Sequence, residues 1–85
     1  MITIKDYSEK IKIPVETMLG KSRVYDVASA RETYWLYLRQ KGLTVRKIAA
    51  TFNRSHSTVL SGINTAQNLI ATKDEWTLSC FGKLI

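Results

Sequence analysis

The sequence predicts an all-α fold, a compact bundle of about six helices that contains a helix-turn-helix. Apolar residues recur at helical spacing along most of the 85-residue chain. Strand signals are poor, because Asn-Gly and Asp-Gly turns and sustained period-two alternation are absent. Serine and threonine residues stand where helix N-caps belong. We therefore expect residues 1–85 to form a single helical domain.

The first two helices are short. Thr3 is a suitable N-cap for a first helix with apolar residues on one face. Pro14 suits the first turn of a second helix, "PVETML", and Gly20 is expected to end that helix in a left-handed conformation. A loop at residues 21–28 follows, "KSRVYDVA".

Two capping boxes predict the starts of a third helix and of the last helix. Ser29 with Glu32 opens "ARETYWLYLRQK", a helix that Gly42 closes and that we expect to be central in the core. Thr72 with Glu75 opens the last helix in the same way. The residues expected to dock this last helix on the core are Trp76, Cys80 and Leu84.

Between them lies a predicted helix-turn-helix. Thr44 caps a fourth helix, "VRKIAATF", Asn53 ends it in a left-handed conformation, and Ser55 caps a fifth helix that runs to about Ile70. The small residues expected to let the two helices approach closely are Ala49, Ala50 and Gly62. In a helix-turn-helix the first turn of the second helix enters the major groove.

The chain begins its fifth helix with "NRSHSTVL", which offers short polar side chains. Hydroxyls of Ser55, Ser57 and Thr58 can donate to or accept from base edges, and His56 can present a ring N–H to a guanine or thymine acceptor. Arg54 can reach a phosphate or a guanine. Serine and threonine also cap helices that bind nothing, so the spacing alone leaves DNA binding and simple capping open.

The net charge of +6 is unevenly distributed. No acidic residue lies between Glu32 and Asp74, whereas six basic residues do. Such a segment can form a positive face that attracts nucleic acid or anionic lipid, and charge alone also allows a basic solvated surface. No apolar run approaches membrane-spanning length, so no membrane partner is expected.

Catalysis is not expected. One histidine, one cysteine and scattered carboxylates give no triad, paired-carboxylate or metal constellation. Cys80 is interpreted as a small core residue, and a lone cysteine suits the reducing cytosol, so we expect a cytoplasmic protein without cofactor or metal. "GKS" at residues 20–22 resembles the end of a phosphate-binding loop, but Val15 stands where that loop needs a glycine, so no nucleotide is expected.

The segment "LTVRKIAATFNRSHSTVLSGI" resembles the C-terminal DNA-binding domain of the bacterial chromosomal replication initiator DnaA. The residues that match the family pattern are Leu43, Ile48, Phe52, Arg54, His56, Thr58, Val59 and Leu60. "EKIKIPVETMLGKSR" is similar to the family's entry helices and basic loop, and Arg31 stands in its usual Arg-Pro-Arg segment. The resemblance covers residues from about Ile2 to Ile70.

This resemblance implies a Trp-repressor-like fold that binds double-stranded DNA in replication-origin or transcription control. The family places its recognition helix in the major groove and a basic-loop arginine in the minor groove, a position matched here by Arg23. Phosphate contacts are expected from Lys21, Arg31, Arg46 and Lys47. The residues expected at the DNA are Lys21, Arg23, Arg31, Thr44, Arg46, Lys47, Arg54, Ser55, His56, Ser57, Thr58 and Ser61.

The chain also departs from the family pattern. Ser55 replaces an aspartate, Ser57 a threonine, Ser61 a frequent histidine and Thr65 a frequent base. The basic loop is thinner, with a tyrosine and an aspartate at residues 25–26. We therefore expect weaker phosphate anchoring and a different or relaxed target sequence. The family's ATPase module has no room in 85 residues, so we expect a stand-alone relative or a fragment.

An alternative function is a protein-interaction module of replication or mobile-element machinery that keeps the scaffold without strong DNA binding. The aromatic-rich tail "EWTLSCFGKLI" would supply the partner surface through the C-terminal helix. Solvent exposure of Trp76 and Phe81 would favour this alternative.

Overall fold

A computed structural model describes all residues from Met1 to Ile85. The helices are α1 (Ile4–Ile11), α2 (Val15–Leu19), α3 (Tyr25–Gln40), α4 (Val45–Phe52), α5 (His56–Ala71) and α6 (Glu75–Gly82). They form a bundle with near-equal extents of 28 × 26 × 26 Å and no strand, so the prediction of an all-α fold is confirmed. No helix combines the length and apolar character needed to cross a membrane.

The α3 helix lies at the centre of the bundle and packs against α2, α4, α5 and α6. Its apolar residues are buried around almost the whole helix, as expected for an element covered on several sides. The ring of Trp35 meets Phe52 edge to face at 6.0 Å, and Tyr34 stacks on Tyr7 at 5.3 Å. These aromatic contacts join α3 to α4 and to α1, and they confirm the predicted central position of α3.

Local capping signals placed several helix ends correctly. The hydroxyls of Thr3, Thr44 and Ser55 each accept a hydrogen bond from the backbone N–H three residues later. Asn53 ends α4 with φ 53°, and Gly42 follows α3 with φ 103°. These left-handed conformations suit asparagine and glycine and turn the chain sharply between helices.

The capping box predicted at Ser29 and Glu32 is wrong. The third helix begins at Tyr25, so Ser29 lies inside it rather than in front of it. The Ser29 hydroxyl is buried and shares a 2.6 Å hydrogen bond with the hydroxyl of Thr77 on α6. A partner from the far end of the chain therefore replaces the local bond that the pattern suggests.

The second capping box, at Thr72 and Glu75, is also wrong. Asp74 is the N-cap of α6, and its carboxylate accepts from the backbone N–H of Thr77 at 3.0 Å. Thr72 instead ends α5. Aspartate is a strong N-cap because its charge also interacts favourably with the helix dipole.

Gly20, Gly62 and Ala50 have other roles than those expected. Gly20 is extended, with φ −71°, because the chain runs straight into the following loop. Gly62 packs against α3, where a Cβ would lie 2.7 Å from the ring of Trp35. Ala50 is exposed, so it does not lie between the two helices of the helix-turn-helix, where it was expected to allow their close approach.

The last helix docks on the core as predicted. Cys80 and Leu84 are buried, and Trp76 and Phe81 are half-buried against the core. Burial raises the pKa of the Cys80 thiol to about 11, so this cysteine stays a neutral core residue.

Candidate nucleic-acid interface

The first turn of α5 is open to solvent. His56, Ser57 and Thr58 are exposed, and their side chains project from the start of the helix. The Ser55 hydroxyl donates to the Thr58 hydroxyl at 2.7 Å and accepts from the Thr58 backbone N–H at 3.2 Å. The turn is thus ordered by its own cap while it presents a ring, two hydroxyls and backbone N–H groups outward.

Arg54 ties this turn to the segment after α2, residues 20–24, which we call the basic loop. One terminal nitrogen of its guanidinium donates to the carbonyl of Phe52 at 3.1 Å. The other donates to the carbonyl of Leu19 at 3.3 Å and to the carbonyl of Gly20. The rigid fork of arginine suits this bridging of two chain segments. Arg54 therefore has protein partners that the sequence did not reveal.

Arg31 holds the same loop from α3. Its side chain is only 8% exposed, its Nε donates to the carbonyl of Met18 at 2.6 Å, and a terminal nitrogen donates to the carbonyl of Ser22 at 3.2 Å. Burial lowers the pKa of Arg31, and the neighbouring charge of Arg54 lowers it further. The expectation that Arg31 contacts phosphate is corrected, because its guanidinium is engaged in positioning the basic loop.

The basic loop, α3 and the start of α5 enclose a cleft of about 380 Å³. Its lining residues are Lys21, Ser22, Arg23, Ala28, Arg31, Glu32, Trp35, Arg54 and Thr58. Four of these side chains are basic, so the cleft concentrates positive potential between the two predicted DNA-binding elements. The structure thus brings together Lys21 and Arg23 of the loop and Thr58 of the fifth helix.

One acid faces the same cleft. Glu32 is half-buried, and burial raises the pKa of its carboxyl, whereas the charge of Arg31 lowers it. Above its pKa, Glu32 partly offsets the positive charge of the cleft. Sequence reasoning treated Glu32 only as a capping residue, although its position directly after Arg31 on α3 could have placed it near the loop.

The remaining predicted residues lie outside the cleft. Thr44 is exposed and its hydroxyl caps α4, with Arg46 and Lys47 exposed on the first turn of that helix. Ser61 is exposed farther along α5. Exposed basic side chains at the start of α4 suit contacts to the DNA backbone rather than to base edges.

Trp35 also lines the cleft, which sequence reasoning missed. Its ring is buried, and its Nε1–H has no hydrogen-bond partner. No group of His, Cys, Asp and Glu side chains is large enough to hold a metal ion.

The profile of the family described as bacterial dnaA protein helix-turn-helix matches residues 4–66. The chain belongs to this family. The match runs from the start of α1 into α5, so it includes the basic loop and the exposed turn, while α6 lies beyond it. Membership of the dnaA helix-turn-helix family indicates a DNA-binding, non-catalytic domain. Searches of curated proteins and of solved structures found no match.

Proposed function

We propose that this dnaA-like domain binds double-stranded DNA sequence-selectively, in replication-origin or transcription control in the cytoplasm. The first turn of α5 would enter the major groove, and Arg23 would enter the adjacent minor groove. The observation that carries the proposal is the basic cleft, which joins the exposed turn of α5 to the basic loop. An element in each groove needs this close spacing, because the two grooves alternate along one face of the duplex.

The chemistry of each element suits its groove. Ser57, Thr58 and His56 offer donors and acceptors of the kind that distinguish base pairs in the major groove. A narrow A·T-rich minor groove attracts an exposed guanidinium such as that of Arg23. Phosphate contacts would come from Lys21 and from the exposed pair at residues 46–47.

Binding should weaken steeply with salt. About four contacts from Lys21, Arg23, Arg46 and Lys47 give an expected slope of log affinity against log salt between about −3 and −4. Fluorescence anisotropy with A·T-rich and mixed-sequence duplexes, titrated between about 50 and 200 mM salt, measures the slope. Absence of duplex binding at the lowest salt would end the proposal.

Replacing His56 with alanine should change sequence preference more than general affinity. If the ring bonds a base edge, the loss is roughly 1–3 kcal/mol at one base pair and little elsewhere. Selection from a random duplex pool, sequenced for the wild type and for His56→Ala, measures it. Gln67→Ala is the control, since Gln67 is exposed on the same face of α5 about three turns farther along. An equal loss of affinity on all sequences would instead indicate that His56 contacts the sugar-phosphate backbone of the DNA.

The protein-interaction alternative finds less support in the C-terminal helix. Solvent exposure of Trp76 and Phe81 would have favoured it, whereas both are half-buried against the core. The Nε1–H of Trp76 donates to the carbonyl of Asp26 at 2.9 Å. The DNA-binding proposal therefore remains the better supported of the two.

A further inference from the structure

The first turn of α3 has little local support: Asp26 places one favourable charge there, but no side chain caps it. Val24, its N-cap residue, supplies no side-chain hydrogen bond, and Tyr25 and Asp26 are exposed. The sequence favours a later start, at Ala30 behind the capping box of Ser29. An uncapped, exposed first turn frays readily, so another part of the chain must hold it in helical form.

That support comes from the start of α6. The Nε1–H of Trp76 donates to the carbonyl of Asp26 at 2.9 Å, and the hydroxyl of Thr77 bonds that of Ser29 at 2.6 Å. Thr77 is fully buried, and its hydroxyl also donates to the carboxylate of Asp74 at 2.7 Å. The first contact falls on the first turn of α3, and the second falls on Ser29, the residue directly after that turn.

The start of α3 in turn defines the end of the basic loop. Hydrogen bonds from Arg31 and Arg54 reach carbonyls of the chain as far as Ser22. Arg23 lies beyond the last of these bonds and just ahead of α3. If the first turn unwound, the loop would extend from residues 20–24 to residues 20–29, and Arg23 would no longer have a fixed anchor on its C-terminal side.

We propose that α6 positions Arg23 for the minor groove by holding the first turn of α3, with Trp76 and Thr77 as positioning residues. This inference rests on the proposed function. It assigns a role in DNA binding to a helix that makes no hydrogen bond to a predicted DNA contact and lies beyond the family match at residues 4–66. Because the support is a pair of hydrogen bonds, it can be removed without removing the helix.

The test begins without DNA. Trp76→Phe keeps an aromatic ring but lacks the N–H donor, and Leu78→Ala is the control on the same helix, because Leu78 is an exposed residue. Hydrogen exchange followed by NMR should show amides 28–30 exchanging at least about tenfold faster in Trp76→Phe, as expected for local opening. The amides of α5 should keep their wild-type rates. Unchanged rates at 28–30 would overturn the proposal whatever the DNA result.

Thr77 provides a second variant pair. Thr77→Val removes the hydroxyl with little change of shape, whereas Thr77→Ser keeps it. Thr77→Val should speed exchange at amides 28–30, and Thr77→Ser should restore slow exchange. Equal exchange in the two variants would contradict a role for the hydroxyl bond to Ser29.

DNA binding then tests the positioning of Arg23. The wild type should prefer A·T-rich to G·C-rich duplexes, Arg23→Ala should lose that preference, and Trp76→Phe should lose most of it. The double variant Trp76→Phe/Arg23→Ala should bind like Arg23→Ala alone, because one residue acts through the other. Faster exchange with an intact A·T preference would overturn the positioning role and leave the proposed function standing. Wild-type protein that binds no duplex would overturn both.

Discussion

Replacing Arg54 with alanine is expected to weaken duplex binding by more than tenfold and to lower the free energy of unfolding by about 1–3 kcal/mol. The guanidinium donates to carbonyls of Phe52, Leu19 and Gly20, and charged donors form stronger hydrogen bonds than neutral ones. Without them, the basic loop is no longer tied to the start of α5. Anisotropy titration measures the affinity, and urea denaturation measures the stability.

The variant Arg54→Lys separates position from charge. Lysine keeps the positive charge but cannot reproduce the two-pronged fork that reaches Phe52 and Gly20 together. We therefore expect Arg54→Lys to recover only a minor part of the lost affinity. Binding restored to the wild-type level would show that Arg54 acts as a phosphate-binding charge instead.

Arg46→Ala serves as the matched control for the same experiment. Arg46 is exposed on α4, outside the cleft, and is expected to contact only phosphate. Removal of its side chain should make the slope of log affinity against log salt less steep by about 1, and it should weaken binding to all sequences alike. The stability should change by no more than about 0.5 kcal/mol, as is usual at exposed sites.

The helices themselves follow from local sequence, whereas two of their starts do not. Thr44 and Ser55 cap helices with a hydroxyl and a backbone N–H only three residues apart, so the pattern alone places them. Ser29 fits the same pattern, but its hydroxyl bonds Thr77, which lies 48 residues away. Tertiary contacts of this kind override local preference, and no single-sequence pattern reveals them.

The candidate DNA-binding site was likewise predictable from the sequence only in part. Charge and the family resemblance pointed to the basic loop and to the start of α5, and the structure joins them in one cleft. The sequence did not show that Arg31 and Arg54 donate to backbone carbonyls. Every residue has a backbone carbonyl, so the sequence does not indicate which carbonyls the fold leaves free to accept a hydrogen bond from an arginine. Lys21 and Arg23 remain predictions as DNA contacts.

Replacing Gly62 with alanine is expected to destabilise the fold by up to about 2 kcal/mol. Alanine favours a helix interior over glycine by about 1 kcal/mol, which alone would stabilise α5. A Cβ here would lie 2.7 and 2.8 Å from two ring carbons of Trp35, and overpacking of this kind costs about 1–3 kcal/mol. The ring is buried and packed on Phe52, so it has little room to move. Thermal unfolding should show a drop of about 4–8 °C for each kcal/mol.

Two further variants test whether the clash with the Trp35 ring causes the loss of stability. Gly82 is the last residue of α6, and no atom lies within 4 Å of the position that a Cβ would take there, so Gly82→Ala should be neutral or slightly stabilising. Trp35→Phe removes the crowded outer ring and should make a second change, Gly62→Ala, far less damaging than in the wild type. If the two changes were simply additive, the clash would not be the cause.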